Sequence, residues 1–149
     1  MRGWMTRFGV ALATTALIVG LDQYTKALAN TAGTRNWGSL GLVWHENPGI
    51  AFSVNLPMPL AGVLMVVLLM VLLVLWLRSS GKITPYHMGL LLAIGGGGSN
   101  LLDKIRLGFV RDFVSLWFLP IFNLADVCIF VGVVMIILGV IYGERNKKI

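Results

Sequence analysis

Residues 60 to 77 read LAGVLMVVLLMVLLVLWL, with no charged side chain among them. About 20 apolar residues are what an α-helix needs to cross the hydrocarbon layer of a bilayer. Inside that layer every backbone N–H and C=O must find its partner within the protein, which restricts such a run to a helix. Three further apolar stretches accompany it in a chain of 149 residues. The first runs from Phe8 to Leu21 and extends through Asp22 and Lys26 toward Leu28. The others are Ile83 to Leu102 and Ile121 to Tyr142, the last interrupted by Asp126. The expected fold class is an all-α integral membrane protein. Four transmembrane helices, at about 8–28, 60–77, 83–102 and 121–142, form a single membrane-embedded domain spanning residues 1–149.

Composition agrees. The chain is 57% hydrophobic and 12% charged, with a mean hydropathy of +0.84. Soluble domains carry about 25% charged residues. The net charge of +6 sits at the edges of the apolar segments and forms no basic stripe interleaved with aromatics. A nucleic-acid partner is therefore not expected. Cys128 is the only cysteine, which excludes an internal disulfide and any zinc site that needs two thiolates.

Two readings of the first apolar stretch compete. Arg2 and Arg7 before an apolar run, with ALA at 27–29, resemble a cleavable secretory leader. Against this, Asp22 and Lys26 are four apart with the acid first, so on a helix they share a face and pair. That pairing favours a retained helix. With both termini on the inside, Arg2, Arg7, Arg78, Lys82, Arg145, Lys147 and Lys148 lie inside, and Lys26, Arg35, Lys104, Arg106 and Arg111 outside. The bias follows the positive-inside rule. It puts an outer loop at 29–59 and an outer interfacial segment at 103–120 on the same side. The loop, rich in glycine and proline with short alternating pieces, is expected to form a small extracytoplasmic β-cradle. Trp37, Trp44 and Phe52 suit an interface. The segment DKIRLGFVRDFVSLWF is expected to be a short interfacial helix lying flat, anchored by Trp117 and Phe118.

The acids carry the functional argument. Five of the six, namely Asp22, Glu46, Asp103, Asp112 and Asp126, fall on the outer side, and Glu144 on the inner. With a helix beginning near Ile121, Asp126 lies about 8 Å below its start at 1.5 Å per residue. A charge there costs a few kcal/mol unless compensated, and intramembrane acids are functional by default. A helix-capping role is the bland alternative. Asn123 shares its face. Asp112 comes before the Leu119-Pro120 reversal, which can bring the two carboxyls together. Two carboxyls that share a water cannot both ionise comfortably, so one is raised and the other lowered in pKa. One then polarises a carbonyl while the other takes a proton from the attacking water. This is peptide hydrolysis without serine, cysteine, metal or cofactor.

Asn100, Asp103 and Lys104 lie at i, i+3 and i+4 and form a polar cluster beside the pair, or Asp103 simply pairs with Lys104 or Arg106. The stretch ENPGIAFS at 46–53 suits a loop that binds an extended substrate through backbone groups and side-chain pockets, or is an ordinary turn. Other chemistries remain open: Ser115 or Ser99 with Lys104 as a serine–lysine dyad, and a hard cation on Asp103, Asp112 and Asp126. His45 reads as a loop residue and His87 as the inner start of the third span. At the level of function, a proton relay through Asp22, Lys26 and Asp126 or a non-catalytic lipid-binding subunit competes with a protease.

Four pieces, LDQYTK at 21–26, NPGIAFS at 47–53, GGGGSNLLDKIRLGFVRDF at 95–113 and FNLADVCI at 122–129, together resemble the bacterial lipoprotein signal peptidases, or signal peptidase II. The resemblance covers nearly the whole chain. It implies a four-helix aspartic endopeptidase of the bacterial inner membrane, with both termini cytoplasmic and the active site near the outer leaflet. It would remove signal peptides from diacylglyceryl-modified prolipoproteins, cleaving before the lipidated cysteine. It implies Asp112 and Asp126 as catalytic residues. The supporting or substrate-binding set is Asp22, Lys26, Asn47, Gly49, Ala51, Phe52, Asn100, Asp103, Lys104 and Asn123. It also implies contact with membrane lipids, a mobile outer helix, inhibition by the cyclic peptide globomycin and action as a monomer, without metal or cofactor. Three features depart from the family pattern. Lys104 stands where arginine is usual, Ile50 where alanine is usual, and the stretch between the two aspartates is short.

Overall fold

The computed structural model of the chain describes residues 2–49, 58–79 and 84–145. Within them run α1 (Arg2–Ala32), β1 (Arg35–Trp37), β2 (Leu40–Asn47), α2 (Met58–Arg78), α3 (Pro85–Leu107), β3 (Val110–Leu116) and α4 (Leu124–Arg145). Among the described residues, three helical stretches are long and apolar enough to cross a membrane: Trp4–Ala32, Pro59–Arg78 and Leu124–Tyr142. Large apolar side chains such as Leu12, Val67, Leu68 and Phe130 stand exposed along them, as expected of surfaces facing lipid. The protein is a multi-pass membrane protein.

The helix α3 is central and packs against the other three. Its glycines explain how. Consecutive helical residues point about 100° apart, so a run of glycines opens several faces at once. A Cβ on Gly95 would meet Ile18 of α1, one on Gly96 would meet the Ala125 carbonyl of α4, and one on Gly97 would meet Leu69 of α2. Lower down, a Cβ on Gly89 would lie 2.6 Å from the Gly132 carbonyl, and one on Gly132 would lie 2.6 Å from the Gly89 carbonyl. Backbones in membranes approach this closely only through small residues. Gly89→Ala should therefore destabilise the protein by about 1–3 kcal/mol through overpacking. Gly98→Ala, which meets nothing within 4 Å, should leave it unchanged or slightly firmer. Unfolding in detergent micelles tests the pair, and equal stabilities for the two variants would contradict the α3–α4 contact.

At the opposite end from the strands, Arg7 binds α1 to the end of α2. Its guanidinium donates to the carbonyls of Trp76 and Ser79 and to Ser79 Oγ, and stacks 4.3 Å from the centre of the Trp76 ring. The helix α3 then begins with a capping box in which Thr84 Oγ1 accepts from the His87 N–H and the His87 side chain closes back on Thr84.

The strands form one antiparallel sheet in the order β1-β2-β3. The small sheet expected from the 29–59 loop exists, but only β1 and β2 come from that loop. The third strand replaces the interfacial helix expected over 103–120. The helix α3 continues to Leu107 and stops at Gly108, whose φ of 88° is a left-handed helix end that favours glycine. Beyond it Val-Arg-Asp-Phe-Val-Ser-Leu is rich in β-branched and aromatic residues and extends along β2. Its other edge is occupied too: Phe122 N donates to the Val114 carbonyl, and Val114 N donates to the Phe122 carbonyl. A strand with partners on both edges leaves fewer backbone groups unpaired than a lone flat helix turn would. His45 is likewise a strand residue, opposite Asp112, not a loop residue. The register slips by one residue between Leu42 and His45, a bulge that sets which β2 residue faces Asp112.

Candidate active site

A chain reversal assembles the site. After β3, Leu119 N donates to the Leu116 carbonyl, closing a tight turn, and Phe122 returns alongside Val114. That places Asn123 beside Asp112 just as α4 begins. Asn123 is the residue before α4 and Asp126 the third residue within it. The Asp126 N–H donates to Asn123 Oδ1 at 2.9 Å, and the Asn123 N–H donates to Asp126 Oδ2 at 3.1 Å. This is a reciprocal helix cap. The expectation of a helix from Ile121, with Asp126 some 8 Å inside, is corrected: the helix starts three residues later, and Asp126 lies in its first turn. There the free N–H groups favour negative charge.

Asn123 touches both acids. Its Nδ2 donates to Asp112 Oδ1 at 2.6 Å, while its backbone holds Asp126. Asn100 Nδ2 donates to Asp126 Oδ1 at 2.8 Å, and Asn100 Oδ1 accepts from Asn123 Nδ2 and Lys26 Nζ. Asn47 Nδ2 donates to Asp112 Oδ2 at 2.9 Å, and its Oδ1 accepts from the Gly49 N–H. Lys104 Nζ donates to the carbonyls of Pro48 and Gly49 and so fixes the turn that carries Asn47. Among the described residues no cation forms an ion pair with Asp112 or Asp126.

A fully buried ionic cluster lies behind them. Lys26 Nζ pairs with Asp22 Oδ2 at 2.6 Å and Asp103 Oδ2 at 3.1 Å. Asp22 also accepts from Ser99 Oγ and, at 2.9 Å, from the Ala125 N–H in the first turn of α4. Asp103 is held by Arg111 through Nη2 at 2.6 Å and Nε at 3.2 Å, and by Gln23 Nε2 at 2.8 Å. It pairs with Arg111 and Lys26, not with Lys104 or Arg106 as one reading of the sequence had it. Asp22 with Lys26, and Asp103 with Arg111, cancel in charge. The Asp112–Asp126 pair is what remains unneutralised.

Burial pushes the Asp112 carboxyl up from 3.8 to about 6. The charge of Asp126 adds to this, while the bonds from Asn47 and Asn123 and the charge of Lys26 oppose it. A raised carboxyl stabilises the fold below its unfolded pKa and loses that contribution as pH rises through the folded value. Between about pH 4 and pH 6.5 the protein should lose on the order of 3 kcal/mol relative to Asp112→Asn. Unfolding of both proteins across that range tests this; a stability difference that does not change with pH contradicts it.

The Signal peptidase (SPase) II family model matches residues 14–142. The chain belongs to the signal peptidase II family. A lipoprotein signal peptidase of Enterococcus faecalis is 34% identical, with 89% of this chain and 88% of that one aligned. One from Chlorobaculum tepidum is 37% identical over 79% and 85%. A bacterial membrane enzyme solved by the in meso method shares the fold, with a TM-score of 0.83 at 23% identity over 93% of this chain and 92% of that one. Family membership decides against the proton-relay and lipid-binding alternatives.

Ten of the twelve sequence-derived site residues of this signal peptidase II chain fall in one connected network: Asp22, Lys26, Asn47, Gly49, Asn100, Asp103, Lys104, Asp112, Asn123 and Asp126. Ala51 and Phe52, with Ile50, lie outside the described residues. The serine–lysine alternative is not assembled, because Ser99 Oγ donates to Asp22 and Lys104 to the loop carbonyls. Sequence reasoning missed Gln23 and Arg111, and weighed Ser99 only as a nucleophile with Lys104, not as a donor to Asp22. Gln23 and Ser99 had a signal, a polar side chain next to a site residue within an apolar helix. Arg111 was counted only as an orientation charge.

Proposed function

We propose that this chain removes the signal peptide of diacylglyceryl-modified prolipoproteins, cleaving just before the lipidated cysteine, with Asp112 and Asp126 as the catalytic pair. As a signal peptidase II it is an aspartic protease. The observation that supports the residue assignment is Asn123, which hydrogen-bonds both carboxyls where, among the described residues, no cation forms an ion pair with either. One proton shared by the pair makes an acid and a base at the same pH. The ionised carboxylate takes a proton from water, and the water oxygen bonds to the scissile carbonyl carbon. The protonated carboxyl gives its proton to the carbonyl oxygen. Collapse of the tetrahedral species breaks the C–N bond, with a proton delivered to the leaving nitrogen and one returned from the hydroxyl. The pair ends as it began.

The same reading places α3 as a fourth span. It is 23 residues long, about 34 Å at 1.5 Å per residue. Gly89, Gly95, Gly96 and Gly97 face other helices, and Ser99, Asn100 and Asp103 are buried, so it needs less hydrophobicity than helices exposed to lipid. Both termini are then cytoplasmic in a bacterial inner membrane. The positive charges of Arg7 and Arg78 mark that side, and the aspartate pair lies near the outer leaflet, where the substrate's acyl chains reside. Globomycin is expected to compete with substrate at the pair.

The test uses the purified enzyme in lipid with a diacylglyceryl-modified prolipoprotein and its unmodified counterpart. The expected products, read by mass, are a free signal peptide and a chain that starts at the lipidated cysteine. Equal cleavage of the unmodified form, or a cut elsewhere, would overturn the substrate assignment.

A further inference from the structure

The residue before each aspartate is tied to opposite ends of one run of alternating charges. Arg111, next to Asp112, pairs with Asp103 at 2.6 Å. Asp103 pairs with Lys26 at 3.1 Å, and Lys26 with Asp22 at 2.6 Å. Asp22 accepts the N–H of Ala125, next to Asp126, at 2.9 Å. The run is Arg⁺, Asp⁻, Lys⁺, Asp⁻ and then the positive end of α4. Every member except Arg111 is fully buried, and the Arg111 side chain is only 17% exposed. We infer that this run is a strut that sets the separation of Asp112 and Asp126, and that Arg111 is the positioning residue at its strand end. The inference rests on the catalytic reading above.

Three observations mark Arg111 as more than a surface charge that happens to pair. Its guanidinium is bound on two sides, by both Asp103 oxygens and by Gln23 Oε1 at 2.6 Å. Its backbone is held as well: its N–H donates to Asp103 Oδ2 at 3.1 Å, and its carbonyl accepts from Asn123 Nδ2 at 3.3 Å. The helices α1 and α3 thereby grip β3 one residue from Asp112. Among the described residues, the Arg111–Asp103 pair is the one ion pair that ties β3 to the buried cluster. The bidentate fork matters, since a planar guanidinium fixes direction as well as distance, which an ammonium does not.

A strut that spaces the carboxyls affects the chemical step, not the grip on substrate. Misplacement of a reacting group by about 1 Å costs on the order of 100-fold in rate. Arg111→Leu should lower kcat about 10- to 100-fold with KM changed less than about threefold. Arg111→Lys, which keeps the charge without the fork, should recover part of the loss. The assay is steady-state cleavage of diacylglyceryl-modified prolipoprotein in lipid, run beside wild type and Asp112→Asn. A wild-type kcat in Arg111→Leu overturns the strut, as does a loss confined to KM or an Arg111→Lys variant no better than Arg111→Leu. Should Arg111→Leu fail to fold, Arg111→Lys decides alone: a kcat lowered severalfold at unchanged KM supports the strut, and a wild-type kcat overturns it. Cleavage retained by Asp112→Asn, or absent from wild type, instead defeats the catalytic reading itself.

Discussion

Asparagine in place of either Asp112 or Asp126 is expected to lower prolipoprotein cleavage by about 1000-fold or more while the protein still folds. Asparagine keeps the shape and one acceptor oxygen but neither donates nor takes a proton. One member of an acid–base pair supplies about 100- to 10,000-fold, and members that act as a unit are not additive. The double variant should therefore be scarcely slower than either single one. Folding should survive because the amide oxygen keeps one of the two donors that each carboxyl accepts, and a neutral amide carries no charge to desolvate in the buried site. Single-turnover cleavage with enzyme in excess is the measurement, since it separates chemistry from product release. A variant that keeps more than about a tenth of the wild-type rate removes its aspartate from the chemistry.

Lys26→Met should have the largest effect on stability. Lys26 is completely buried and is the cation shared by Asp22 and Asp103. Its removal leaves buried negative charge uncompensated, at a cost of about 3–5 kcal/mol. Little folded protein is expected to accumulate. Replacing Asp22 at the same time, in Asp22→Asn/Lys26→Met, removes a neutral pair instead of one partner. An asparagine at 22 can still accept from the Ala125 N–H. The double variant should therefore be more stable than Lys26→Met alone, as read from unfolding in micelles. A single variant as stable as wild type would show that the buried cluster is not held by this lysine.

The apolar runs made the membrane architecture legible, because backbone in lipid has few options and hydrophobicity is a local property. The Asp22–Lys26 pair was legible for a similar reason, since helical periodicity fixes which side chains share a face. The glycine run at 95–98 announced close packing, although not that three of its members face three different helices. The region 103–120 was misjudged. Its apolar, aromatic content suits an interfacial helix as well as a strand, and the choice depended on β2 and Phe122 being in place to pair with it. Arg111, on β3, was opaque for the same reason: its partners lie at Gln23 and Asp103, on the helices α1 and α3.

The sequence by itself determined that this is a membrane protein with acids concentrated toward one end of its apolar segments, and it singled out Asp112 and Asp126 as the candidate pair. Those properties depend on residue type and on spacing along a single helix. Tertiary structure alone decided how the acids meet. A turn after Leu116 and a helix starting at Leu124 bring Asn123 between Asp112 and Asp126, and an alternating run of charges from three elements joins their neighbours. Contacts between groups as far apart as Asp22 and Ala125 arise only when the chain is closed, because hydrogen bonds and ion pairs act over a few ångströms in space and carry no trace of separation along the sequence.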